Sequence, residues 1–296
     1  MTRVPQTVMS TVAILGAGTL GGALAHCLAG RDCVQGIRLV DPASGIARGK
    51  ALDISQAGPV ERFETRVTAT EHVDGVVGAA IVVLTGPADT PDDDWQSGTA
   101  GEILAQVATL NRRAPIVCAG ASHASLVELG IGDLGIDTRR IIGTAPGALL
   151  SGLRALIALE ADASPAEVVV NLVGVPPSHP VVPWSSATIG GYPLDDRLSP
   201  PQLARLRRCL GQLWPPGPYT LASAAAEVIE AMMTGRSRRA FACFVGEVRS
   251  GSASAQSADV TVDASGVDTI LSPRLSRVEQ VQLDNALGRS MKNQTP

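Results

Sequence analysis

The residues best placed to do chemistry are three glycines and one acid near the start of the chain. Gly16, Gly18 and Gly21 form a G-x-G-x-x-G run directly after the apolar residues 12–15, and Asp41 ends a second apolar segment about twenty residues on. Each has its own physical task. Gly16 permits a tight turn, Gly18 lets the backbone approach a pyrophosphate, and Gly21 lets the following helix pack closely on the strand. A helix opening at Thr19 and Leu20 directs N–H groups toward phosphate oxygens. Asp41 is placed to accept hydrogen bonds from a ribose 2′-OH, and the absence of an adjacent arginine favours NAD over NADP. Strand, glycine turn, helix, strand and acid in register imply dinucleotide binding.

The elements that would carry this site follow from periodicity. Residues 45–56 have a helical pattern, 66–70 read as a short strand, and 80–84 form an apolar run typical of a central parallel strand. A polar loop follows to Gly98, with a helix predicted over 103–110 and a strand over 115–119. Arg140-Ile141-Ile142 is expected to close the sheet. Alternation of this kind predicts an α/β protein with a Rossmann-type doubly wound parallel sheet. The character changes after Gly143. Helices are expected over 149–159, 201–213 and 222–233, strands over 168–173, 241–245, 260–262 and 267–271, and a hairpin through Gly190-Gly191. A last helix starts at Ser276, with Glu279 completing a capping box. The expected domains are therefore 1–143, binding NAD, and 144–296, a mixed α+β substrate and oligomerisation domain.

Composition excludes several functions. With 296 residues, a net charge of −4 and 18% charged residues, nothing points to nucleic acid or an anionic membrane. Five cysteines without C-x-x-C spacing suggest neither a disulfide framework nor a metal site. No run is long enough to span a bilayer, and the apolar start breaks into the glycine turn rather than a cleavage site. These features read as cytoplasmic.

The whole chain resembles the lactate/malate dehydrogenase family. The resemblance rests on Ala13-Ile14-Leu15-Gly16-Ala17-Gly18, Leu39-Val40-Asp41, Gly49-Lys50-Ala51-Leu52-Asp53-Ile54, Ile81-Val82-Val83-Leu84-Thr85-Gly86, Arg140-Ile141-Ile142-Gly143 and Val228-Ile229-Glu230-Ala231. It implies NAD as cofactor, held in part by Thr85 and Gly86, and a homodimer or homotetramer. The family's reaction uses a histidine oriented by an aspartate, arginines that clamp the substrate carboxylate, and an asparagine after the fifth strand. Ungapped matching puts Asp89 and Trp95 at the loop arginines, Gly120-Ala121 at the asparagine, Leu149 at the aspartate, Gly152 at the clamp and Pro176 at the histidine. Loss of a positioned base costs ~10²–10⁴ in rate. An aspartate at a clamp position repels a carboxylate by roughly 4 kcal/mol at ~4 Å and an effective dielectric near 20.

Three side chains remain as candidates for the reacting end. His179 is a displaced base or an exposed loop residue. His123, after the fifth strand, is a ligand-facing group or a helix-start histidine bound to backbone. Trp95 covers the pocket or anchors its loop. Arg154 is expected in a structural ion pair, and the acid run 89–94 as a solvated loop. The reading leaves activity open and expects, if the chain is active, an atypical NAD-dependent enzyme for a neutral or cationic small molecule, rather than a conventional malate or lactate dehydrogenase. The alternatives are a silent scaffold or regulator, paired with an active relative, and a conventional malate or 2-hydroxy acid oxidoreductase.

Overall fold

The computed structural model describes residues 10–88, 95, 98–235, 239–249 and 251–292. The first half runs β1 (Thr11–Leu15), α1 (Thr19–Arg31), β2 (Gly36–Val40), α2 (Ser44–Glu61), β3 (Arg66–Thr70), β4 (Ile81–Leu84), α3 (Thr99–Leu110), β5 (Ile116–Cys118), α4 (Ala124–Gly132) and β6 (Ile141–Gly143). Its strands pair in parallel in the order β3-β2-β1-β4-β5-β6. Ile14 lies between Leu39 and Val83, and none of the three is exposed. Both faces of these strands are covered, so they are apolar throughout rather than alternating. α1 buries Leu20, Leu24, Ala25, Leu28 and Ala29, a single stripe at helical spacing. The strand order reverses between β1 and β4, which leaves a crevice beyond their carboxyl ends.

The second half holds α5 (Ala145–Ala161), β7 (Val168–Val169), β8 (Val173–Val175), β9 (His179–Val181), β10 (Thr188–Ile189), β11 (Tyr192–Pro193), α6 (Leu194–Arg197), α7 (Pro200–Cys209), α8 (Pro218–Thr234), β12 (Phe241–Arg249), β13 (Ser252–Asp263), β14 (Gly266–Leu271) and α9 (Arg277–Lys292). Two expectations need correction. β6 does not close the sheet: β12 joins it antiparallel, and β13, β8 and β9 follow outward. A buried pair such as Ile141 and Ile142 requires cover on both sides, and β12 supplies the second. The single strand expected over 168–173 is two strands in two sheets. β7 pairs β10 in a small three-stranded sheet, and β8 joins the main one. A run of buried apolar residues cannot show by itself which sheet it serves.

α9 begins as expected. Glu279 Oε2 accepts the Ser276 N–H at 2.7 Å, and its Oε1 and Oε2 also accept the N–H and hydroxyl of Ser185 at 2.9 and 2.6 Å. Burial alone would raise this carboxyl, but the bonds from Ser185 and Ser276 pull it down to about 2. A folded pKa below the unfolded value gives stability above the unfolded value, lost as pH falls through the folded one. Stability should therefore decline between the ordinary 4.5 and about 2. In melting curves across that window, Glu279→Gln should be the less stable protein at neutral pH and should lose less on acidification. Parallel curves for both proteins would count against the cap.

Candidate dinucleotide site

The carboxyl end of β1 turns sharply at Gly16, whose φ is +103°. A Cβ there would sit 2.3 Å from the Gly86 carbonyl oxygen and 2.7 Å from Thr85 Oγ1. A Cβ on Gly21 would sit 2.0 Å from the Gly16 carbonyl oxygen. Both positions therefore require glycine on space alone. Thr85 Oγ1 lies 2.9 Å from the Leu15 oxygen and 2.8 Å from the Gly16 oxygen, tying the end of β4 to the turn. Gly18 donates its N–H to the Gly86 oxygen at 3.0 Å.

α1 starts on this turn. Its first internal bond runs from Gly22 N–H to the Gly18 oxygen at 3.0 Å, so the helix itself does not use the amides of Thr19, Leu20 and Gly21. Thr19 is exposed, whereas Leu20 and Gly21 are buried. No side chain caps the helix and no acid stands in its first turn. The amino end thus keeps the positive end of the helix dipole for an anion.

Asp41 is completely buried beside the turn. Its Oδ2 accepts the Ala17 N–H at 2.6 Å and the Ala88 N–H at 3.0 Å, and its Oδ1 accepts the Ala43 N–H at 2.8 Å. A ribose was the expected partner; here backbone amides satisfy the carboxylate, because a buried charge without hydrogen bonds is costly. The carboxylate still stands where β2 ends. A cradle that a Cβ would fill, an uncapped helix start and this acid without a neighbouring arginine fit NAD. The start of α1 at Thr19, Leu20 and Gly21 would hold its diphosphate on the turn that Gly16 and Gly18 shape, while Asp41 braces that turn through the Ala17 and Ala88 amides.

The reacting end is assembled differently from the sequence reading. Trp95 donates its Nε1–H to the Thr85 oxygen at 2.7 Å and packs half-buried on the core, so it is fixed over the end of β4. His123 is 4% exposed and stands at the start of α4, where its Nδ1 accepts the Gly120 N–H at 3.1 Å. A Cβ on Gly120 would meet His123 Nε2 at 2.6 Å, so the imidazole fills the space beside that glycine. Nδ1 is thus held as an acceptor by the backbone. His179 lies on β9, five strands from β5, or roughly 24 Å at ~4.8 Å per strand. It lines a shallow cavity with Trp184, Gln282 and Asn285, and is not brought together with His123 and Trp95.

Leu149 is 2% exposed in an apolar cluster with Leu153, Ile157, Leu203 and Leu206. A Cβ on Gly152 would contact Leu213 at 3.6 Å, and Pro176 is buried. Asp89 and the aspartates Asp92, Asp93 and Asp94 lie outside the described residues. Arg154 does not make the expected ion pair among the described residues; its buried Nε has no hydrogen-bond partner. It lines a cavity of about 640 Å³ between α5 and α8 with Asp259. Burial lowers the Arg154 pKa, Arg239 adds to this, and Glu227 and Asp259 oppose it. Cys118 and Cys243 are buried, which pushes each thiol up to about 12 and keeps it inert; Cys27, Cys33 and Cys209 are half-buried. Among the described residues no group of three or more His, Cys, Asp or Glu could hold a metal, and no helix is long and apolar enough to cross a membrane.

Residues 10–92 match the model of the lactate/malate dehydrogenase NAD-binding domain. The family-level match is to the lactate/malate dehydrogenases. A malate dehydrogenase from Salinibacter ruber is 26% identical, with 95% of each chain covered. In fold the chain resembles the malate dehydrogenase of Picrophilus torridus in its apo form, with a TM-score of 0.85, 20% identity and coverage of 97% and 96%. It also resembles a lactate dehydrogenase of Cryptosporidium parvum complexed with lactic acid and nicotinamide adenine dinucleotide, with a TM-score of 0.84, 20% identity and coverage of 98% and 99%. The N-terminal half is an NAD-binding Rossmann domain, and a mixed α+β region follows it.

These similarities correct the expectation of an atypical enzyme in place of a conventional malate or lactate dehydrogenase. The likeness in sequence and fold runs to malate and lactate dehydrogenases along nearly the whole chain. Matching single positions in a chain 26% identical to its relative cannot say what fills the space beside each one; at Gly120 it is the His123 ring.

Proposed function

We propose that this chain is an NAD(H)-dependent oxidoreductase of the malate or 2-hydroxy acid type, working in the cytoplasm as a homodimer or homotetramer. The observation that carries the reading is the similarity to malate dehydrogenase over 95% of both chains. The intact glycine turn supports it. Residues 1–143 form the cofactor half and 144–296 the substrate half. Bound NAD(H) supplies or takes the hydride. The chain's own part is to hold the diphosphate on the start of α1 and to cover the end of β4 with Trp95. His123, held by the Gly120 N–H at the start of α4, is the polar side chain assigned to the substrate end. A steady-state assay of NADH oxidation against oxaloacetate, pyruvate and longer 2-oxo acids tests this, and at least one should be turned over.

A second reading, a dinucleotide-binding protein without turnover, draws on the apolar surroundings of Leu149 and Gly152. Neither position offers a charged group to a carboxylate. NADH binding with no turnover of any 2-oxo acid would select it over the first.

A further inference from the structure

The chain carries 24 basic residues, yet only Lys50 and Lys292 are lysines. Lys50 is on α2, with its stem passing the amino end of α1: its Cδ would lie 3.1 Å from a Cβ on Gly22, so that glycine makes room for it. Its Nζ donates to the Ala17 oxygen at 2.6 Å and to the Gly18 oxygen at 2.8 Å. These are the two consecutive carbonyls inside the glycine turn. Neither peptide is among the cis bonds, which occur at Pro176-Pro177 and Trp214-Pro215 among the described residues. In a trans peptide the C=O and the following N–H point in opposite directions. Holding the Ala17 carbonyl therefore aims the Gly18 N–H at the Gly86 oxygen. Holding the Gly18 carbonyl fixes the plane of the next peptide, which enters the exposed start of α1 at Thr19. A compact ammonium with several donors can serve two converging carbonyls, whereas a planar guanidinium suits a flat anion.

We infer that Lys50 is a positioning residue for the dinucleotide diphosphate: it fixes the two peptide planes of the glycine turn, one locked onto Gly86 and the other leading into the start of α1 where the diphosphate would sit. The inference rests on the cofactor reading above. It explains a lysine where the chain otherwise uses arginine, and it gives Gly22 a function outside the G-x-G-x-x-G pattern.

Titration calorimetry of the full chain with NADH, ADP and adenosine tests it. Lys50→Met should weaken NADH and ADP about tenfold, the scale of one lost charged hydrogen bond. Adenosine, which has no phosphate, should bind as before. Lys50→Arg should recover only part of the loss, and full recovery would show that charge alone matters and overturn the positioning role. Equal weakening of adenosine and ADP would also overturn it, because the damage would then be general. Should Lys50→Met not fold, reductive dimethylation of folded Lys292→Arg protein leaves Lys50 charged with a single N–H donor. The same selective loss of ADP supports the inference, and unchanged ADP affinity overturns it alone. Failure of the unmodified protein to bind NADH or ADP would overturn the cofactor reading as well.

Discussion

Replacing Gly16 with valine should abolish NADH binding and destabilise the whole protein. The backbone there has φ +103°, a region that β-branched residues essentially do not adopt. The new Cβ would meet the Gly86 carbonyl carbon at 2.6 Å as well as its oxygen, and both are backbone atoms that cannot rotate away. Relief requires β1 and β4 to part where Leu15 pairs with Leu84, inside the core. Strain and overpacking together should cost upwards of ~3 kcal/mol. For a chain of this size that is a fall in Tm of roughly 6–12 °C. Scanning calorimetry gives the stability and NADH fluorescence the binding. A Gly16→Val protein that still bound NADH normally would place the cofactor elsewhere.

The second large effect is expected at the seam between the halves. Phe244 on β12 is 1% exposed and is among the largest fully buried side chains. It faces the end of β6, where a Cβ on Gly143 would touch its ring at 3.0 Å. Truncation to alanine should cost about 3–5 kcal/mol, since the walls of the cavity belong to two strands and can relax only partly. Because β6 and β12 belong to one sheet, the loss should be felt by both halves together. Urea unfolding of Phe244→Ala followed by tryptophan fluorescence and by circular dichroism should give one coincident, weakened transition. Two separated transitions would mean that the halves unfold independently and that the seam carries little.

The first half of the fold was legible in the sequence because its signals are local and redundant. The strand at 12–15, the turn at Gly16, the stripe along α1 and the acid at the end of β2 each constrain the next. The place of β6 is not legible in the same way, because Ile141 and Ile142 report that they are buried, not which strand covers them. The same ambiguity hid the change of sheet between Val169 and Val173. At the site, the glycines could be read since the need for glycine is a matter of space. The fate of Asp41 could not, because its partners Ala17 and Ala88 lie on other loops and offer only backbone. Lys50 stood in a recognisable block, but its contacts with Ala17 and Gly18 depend on how α2 packs on α1. One of only two lysines in a chain rich in arginine was the available signal. His123 and Gly120 are three residues apart, and only the structure shows one filling the space of the other.

Hydride transfer itself decides whether this chain is a 2-hydroxy acid oxidoreductase. Purified protein is mixed with NADH deuterated at the nicotinamide C4 position and with oxaloacetate, pyruvate or a longer 2-oxo acid, and the products are read by mass spectrometry. The expected product is a 2-hydroxy acid carrying the deuterium, formed by the unmodified protein and not by Gly16→Val. Tight NADH binding with no labelled hydroxy acid from any of these substrates would contradict that function.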